Sequence, residues 1–245
     1  MMDETQAYSS EPLPSFRSSA TDAFKAIIET PNWVGNLLWL TIAGVASSIF
    51  IGQIAAFGYG SELLRRRAGR PDMPNHDIDS DRLGDYLSQG IWPFLVALVI
   101  QFGTSTVLAI PFGLLFVVGA LAMGDIVGLG AMVLAPLVVV ASLLASLLTV
   151  PFVIRAMICQ DFVKSFDLGW AINFVKLMAG EMIFSAIIFF VLAWLLNLVG
   201  ALACCVGVFV TSGWVLGATM HLGAQLYEVY LSRGGEPVPE PALNG

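Results

Sequence analysis

Several apolar runs, each about 20 residues or longer, decide what this chain can fold into. A run of that length crosses a hydrocarbon core of ~30 Å as a single helix. Of the 245 residues, 57% are hydrophobic and only 12% are charged, with a mean hydropathy of +0.82. A soluble domain carries about 25% charge, so water is the wrong solvent for most of this surface. The sequence therefore predicts an all-α fold, a polytopic membrane helical bundle of about five transmembrane helices with short amphipathic interfacial helices. The spans fall at about 33–64, 91–119, 127–157, 178–200 and 205–230, inside one helical membrane domain of 18–231. Tails at 1–17 and 232–245 are polar and proline-bearing, with Pro12, Pro14, Pro237, Pro239 and Pro241, and read as disordered.

Within the first span, Gly44, Ser48, Gly52, Ala56 and Gly60 recur every fourth residue. On one continuous helix they would stack as a stripe of small residues. Such a stripe lets a second helix backbone approach closely, which is how helices associate in lipid. This stripe is the expected helix-packing spine.

Two amphipathic segments flank the spans. Over about 18–30, Phe16, Ala20, Phe24, Ile27 and Ile28 oppose Asp22, Lys25 and Glu29. Ser19 with Asp22 resembles a capping box, and Pro31 ends the segment. Two readings stand, a helix lying on the bilayer and a helix packed on the bundle. Over 160–177, Phe162, Phe166, Trp170, Phe174 and Leu177 form a similar stripe.

Charge sets orientation. With five spans, Arg65, Arg66, Arg67, Arg70, Arg82, Arg155, Lys164, Lys176 and Arg233 share one side, and only Arg17 and Lys25 take the other. The richer side is cytoplasmic by the positive-inside rule. That places the N-terminus outside and the C-terminus in the cytoplasm of a cell (inner) membrane. A hairpin within any long hydrophobic segment would change the count. No basic stretch leads at once into an apolar core at the N-terminus, so no cleaved signal peptide is expected.

An apolar run ending in Gly58, Tyr59 and Gly60 is followed by Leu63, Leu64, Arg65 and Arg66, then Gly69, Pro71 and Pro74, then aspartates and a glycine before the next span. This layout, over roughly residues 20–230, resembles an uncharacterised prokaryotic multi-pass membrane family, domain of unknown function 4013. The resemblance implies a multi-pass fold and no established activity.

Three groups of residues invite a chemical reading. Arg65, Arg66, Arg67 and Arg70 just past the first span could hold anionic lipid head groups or simply stop transfer. His221, Gln225 and Glu228 lie near one face of the last span, with Gly213 and Gly217, as a possible intramembrane polar site. Gln101 and Asn197 are expected to bond between helices. The third group, Asp77, Asp79 and Asp81, alternates like the start of a calcium loop. Arg82 stands where that loop needs Gly, and Ser88 where it needs Glu, so an EF-hand is excluded.

The 3 cysteines form no disulfide framework, and the 2 histidines do not cluster with them, so no metal is expected. A net charge of −7 argues against nucleic acid. Phosphate-binding, nucleophile-elbow and metalloprotease motifs are absent from the sequence, so neither catalytic residues nor a cofactor are expected. The expected partners are the lipid bilayer and a membrane protein, either another chain or a second copy of this one. The sequence thus suggests a non-enzymatic scaffold, assembly or lipid-contact protein, with a small transporter or channel subunit as the alternative.

Overall fold

A computed structural model describes residues 18–68, 77–123, 127–203 and 205–239. All regular elements among them are helical: α1 (Ala20–Ile28), α2 (Trp33–Ala46), α3 (Ile51–Arg67), α4 (Leu83–Met123), α5 (Val127–Cys159), α6 (Phe162–Ser165), α7 (Leu168–Leu202) and α8 (Cys205–Ser232). Among the described residues, three segments are long and apolar enough to cross a membrane: Ser80–Val107, Val140–Cys159 and Phe162–Leu202.

The expected first span over 33–64 is not one helix. It divides into α2, a 3-10 turn at Ser47–Ile49, and α3. Phe50 takes the left-handed conformation, φ 67°, which ends one helix and precedes the next. The Ser47 and Ser48 hydroxyls donate to the Ala43 and Val45 carbonyls, closing off α2. Gly52 then allows the fold-back, because a Cβ there would overlap the Ala43 carbonyl oxygen.

The direction of each arm follows from its neighbours. Gly44 lies against Gly213 while Leu40 lies against Gly217, so α2 runs antiparallel to α8. Tyr59 meets His221 and Arg67 meets Glu228, so α3 runs parallel to α8. Hence α2 and α3 form a hairpin with both open ends at the C-terminal end of α8. With 14 and 17 residues, each arm is shorter than the ~20 residues that cross a bilayer.

The remaining long helices alternate. Gly58 abuts Tyr86 and Gly90 abuts Ile54, so α4 runs antiparallel to α3 and away from this end. α5 returns to place Met157 near Gly60. α7 leaves again, and α8 comes back with Thr211 bonded to Asn197. Both described chain ends therefore lie together: Ser18 is bonded to Glu181, and Arg233 is bonded to the same carboxylate. Among the described residues the two ends do not lie at opposite ends of the bundle, as one continuous first span would place them, because the first hydrophobic segment turns back.

The amphipathic segments are drawn into this end. Ser19 caps α1 by accepting from the Asp22 N–H, and Ala23, Ala26 and Ile27 are buried. Phe24 stacks on Phe189 at 5.0 Å, and Trp214 Nε1 donates to the Phe24 carbonyl. Of the two readings of α1, the packed helix is observed. The second amphipathic stretch is α6 plus the first turns of α7. Asp161 caps α6, and the Lys164 N–H it accepts holds its carboxyl below the usual range. Residues 233–238 of the expected tail are docked, with Glu236 N and Val238 N donating to the Tyr230 and Tyr227 hydroxyls. The expected N-terminal tail at 1–17 lies outside the described residues.

The buried core sits at this same end, around Tyr59, Leu63, Tyr86, Met157, Phe174 and Tyr230. Further along, the long helices present apolar side chains outward, with Phe102 74% exposed and Val107 69%. A surface of that kind is compatible with a membrane protein.

Candidate functional site

The last turns of α3 enter the core carrying charge. Glu62 stands four residues before Arg66, a spacing that brings the two side chains together on one helix face. Glu62 is only 7% exposed and accepts from Arg66 and, at 2.6 Å, from Arg82 Nη1 at the head of α4. Arg82 in turn meets Asp85 at 3.2 Å and lies over the Tyr86 ring. Arg67 reaches the other way and pairs with Glu228 of α8 at 2.8 Å, both side chains largely buried. Arg65 donates to Gln89 and to the Ser61 carbonyl. One turn deeper, the Tyr59 hydroxyl and His221 Nε2 share a buried hydrogen bond of 3.1 Å.

Two further polar clusters surround this layer. Asn36, buried on α2, donates to Thr30 Oγ1 at 2.7 Å and to Asp77 Oδ1 at 3.0 Å, and its own oxygen accepts from Ile78 N. Glu181 accepts from the Ser18 N–H and hydroxyl and pairs with Arg233 at 2.7 Å.

The geometry is that of a clamp. Acids meet bases across α3, α4 and α8: Arg82 with Glu62 ties the head of α4 to α3, and Arg67 with Glu228 ties α3 to α8. Burying such charges is costly unless they are paired, so each pair also fixes which helix end faces which. Among the described residues, no group of three or more His, Cys, Asp or Glu side chains could hold a metal ion.

The chain matches the family described as "Protein of unknown function (DUF4013)" over residues 40–205. It belongs to that family. No curated protein and no solved structure matches it. The matched stretch includes Tyr59, Glu62, Arg65–Arg67 and Arg82, the α3–α4 half of the clamp. Asn36 on one side, and His221, Gln225 and Glu228 on the other, lie outside it.

The expected site residues are placed as follows. Gly44 and Ser48 fall before the break at Phe50, and Gly52, Ala56 and Gly60 after it, so the five do not line one helix. Four of them still sit at close approaches, to different neighbours. Gly44 meets Gly213, Gly52 meets Ala43, Ala56 is 1% exposed, and Gly60 meets Met220 and Met157. Ser48 is exposed. Arg65, Arg66 and Arg67 are engaged by protein groups, with Arg66 the most exposed of the ion-paired two; Arg70 lies outside the described residues.

His221, Gln225 and Glu228 go to three different partners: Tyr59, the Ser19 N–H and Arg67. Asn197 does bridge helices, accepting from Thr211 and Ser212. Gln101 is exposed and bonds to Ser105 of its own helix. The aspartates of the acidic loop act as caps and clamps: Asp77 takes two donors from the start of α2, and Asp79 accepts from the Asp81 N–H.

The sequence reading missed Glu62, Asn36 and Arg82. Glu62 carried a usable signal, a carboxylate ending an apolar run four residues before Arg66. Asn36 carried none, since its partners Asp77 and Ile78 lie more than 40 residues away.

Proposed function

We propose that this chain is an integral membrane protein with both termini in the cytoplasm, crossing by α4, α5, α7 and α8 and dipping in and out again through the α2–α3 hairpin. It acts without enzymatic chemistry, as a scaffold for assembly and lipid contact. One observation carries the reading. Among the described residues, all nine Lys and Arg, from Lys25 to Arg233, belong to the charged end of the bundle. The stretches between α4 and α5 and between α7 and α8, residues 124–126 and 203–204, contain neither residue type. A charge bias of this kind marks the cytoplasmic face. The non-enzymatic role is supported by the mutual pairing of the site's acids and bases, which leaves them fixing helices together.

The test is single-cysteine labelling from outside intact cells, in a background where Cys159, Cys204 and Cys205 are replaced by Ser. A cysteine at Ser10 or Asn75 should stay unlabelled, and one at Gly124 should react. Labelling at Ser10 would overturn the topology. Complete extraction of the protein at alkaline pH would overturn membrane integration.

A second reading, a small transporter or channel subunit, is favoured by the break at Phe50. Broken helices at membrane depth line substrate paths in many transporters. Saturable flux in proteoliposomes, lost in His221→Ala, would establish it over the scaffold.

A further inference from the structure

Between α5, α7 and α8 runs an apolar groove of about 540 Å³. Leu147 and Val150 form one wall, Met182 and Ile187 the floor, and Leu222 and Leu226 the other wall. It opens sideways where, on the reading above, lipid surrounds the protein.

The α7 face that lines it continues toward the charged end. Lys176, Gly180, Ile183 and Ile187 succeed one another at spacings of four, three and four residues, so they share one face. Ile183 and Ile187 line the groove. Gly180 is an open step, because a Cβ there would meet nothing within 4 Å. Lys176 stands exposed above it.

The charge of Lys176 is not cancelled locally. Lys25 and Lys164 each pair with an aspartate three residues away, but among the described residues no carboxylate pairs with Lys176. The nearest acid along α7, Glu181, is already held by Arg233 and Ser18. A cation at the interface, an unobstructed notch and an apolar trough follow in the order of an anionic amphiphile's own parts.

We infer that this face binds one anionic phospholipid, with its phosphate at Lys176 and an acyl chain lying in the α5–α7–α8 groove. The inference rests on the membrane reading. The test uses purified protein in nanodiscs containing equal phosphatidylglycerol and phosphatidylcholine. Lipids retained after release into the gas phase are counted by native mass spectrometry. Wild type should retain one lipid, phosphatidylglycerol over phosphatidylcholine by about fivefold, the preference one interfacial cation gives. Lys176→Gln, a surface change that leaves packing intact, should bring the ratio to about one. Thr219→Phe, at a groove-lining and exposed position, should reduce retention of both lipids. Wild-type selectivity in Lys176→Gln, or undiminished retention in a folded Thr219→Phe, would overturn the site. Protein that cannot be reconstituted into nanodiscs at all would instead overturn the membrane reading.

Discussion

Asp77 accepts two hydrogen bonds at 3.0 Å, from the Asn32 backbone N–H and from Asn36 Nδ2, and so fastens the chain that follows α3 to the first turn of α2. The two ends of the hairpin are thereby tied together. A continuous helix from 33 to 64 would hold these ends far apart, at ~1.5 Å per residue.

Asn36→Ala should therefore destabilise the hairpin. It removes the bonds to Asp77, Thr30 and Ile78 and leaves buried groups without partners. A loss of ~2–3 kcal/mol is expected, read as a drop in thermal midpoint in detergent. Val34→Ala, at an exposed position of the same helix, should change it little.

Gly52→Ala and Gly103→Ala should differ. A Cβ at Gly52 would overlap the Ala43 carbonyl, so the turn must shift, at a cost of ~2 kcal/mol or more. At Gly103 a Cβ meets nothing within 4 Å, and the change should be neutral or gain up to ~1 kcal/mol of helix propensity. Equal tolerance at both sites, measured by thermal unfolding, would rule out the fold-back at Phe50.

The Arg67–Glu228 pair gives a double-mutant test. Removing one partner leaves a buried charge alone, so Arg67→Met or Glu228→Leu should each cost ~3–5 kcal/mol. The double variant should cost clearly less than the sum of the two, because both charges leave together. Additive losses would show that the two side chains do not meet.

Val238→Asp probes the docked tail. Val238 is 5% exposed, and its N–H donates to Tyr227. A charge placed there must leave the core or undock the tail, with an expected loss of ~2 kcal/mol. Glu236→Ala should be silent, since that residue contributes its backbone to Tyr230 and Trp170.

The long apolar helices were legible in the sequence because they are a matter of sums: runs of about 20 apolar residues with scarce charge are long enough to cross a membrane as helices. The α1 cap at Ser19, the late helices and the family likeness were legible for the same local reasons, being set by neighbours a few residues apart. Where the first run folds back was decided by tertiary structure. Its composition suits one long helix as well as two short ones, and the choice rests on a left-handed Phe50, on Gly52 meeting Ala43, and on Asp77 reaching Asn36 across 41 positions. That single turn brings Ser18 to the same end of the bundle as Arg233 and puts every described lysine and arginine at that end. It also converts Arg67 and Glu228 from separate interfacial charges into partners. A one-dimensional pattern ranks segments by hydropathy but does not say which charge a buried charge will find. The cost of leaving one unpaired settles that when the helices pack.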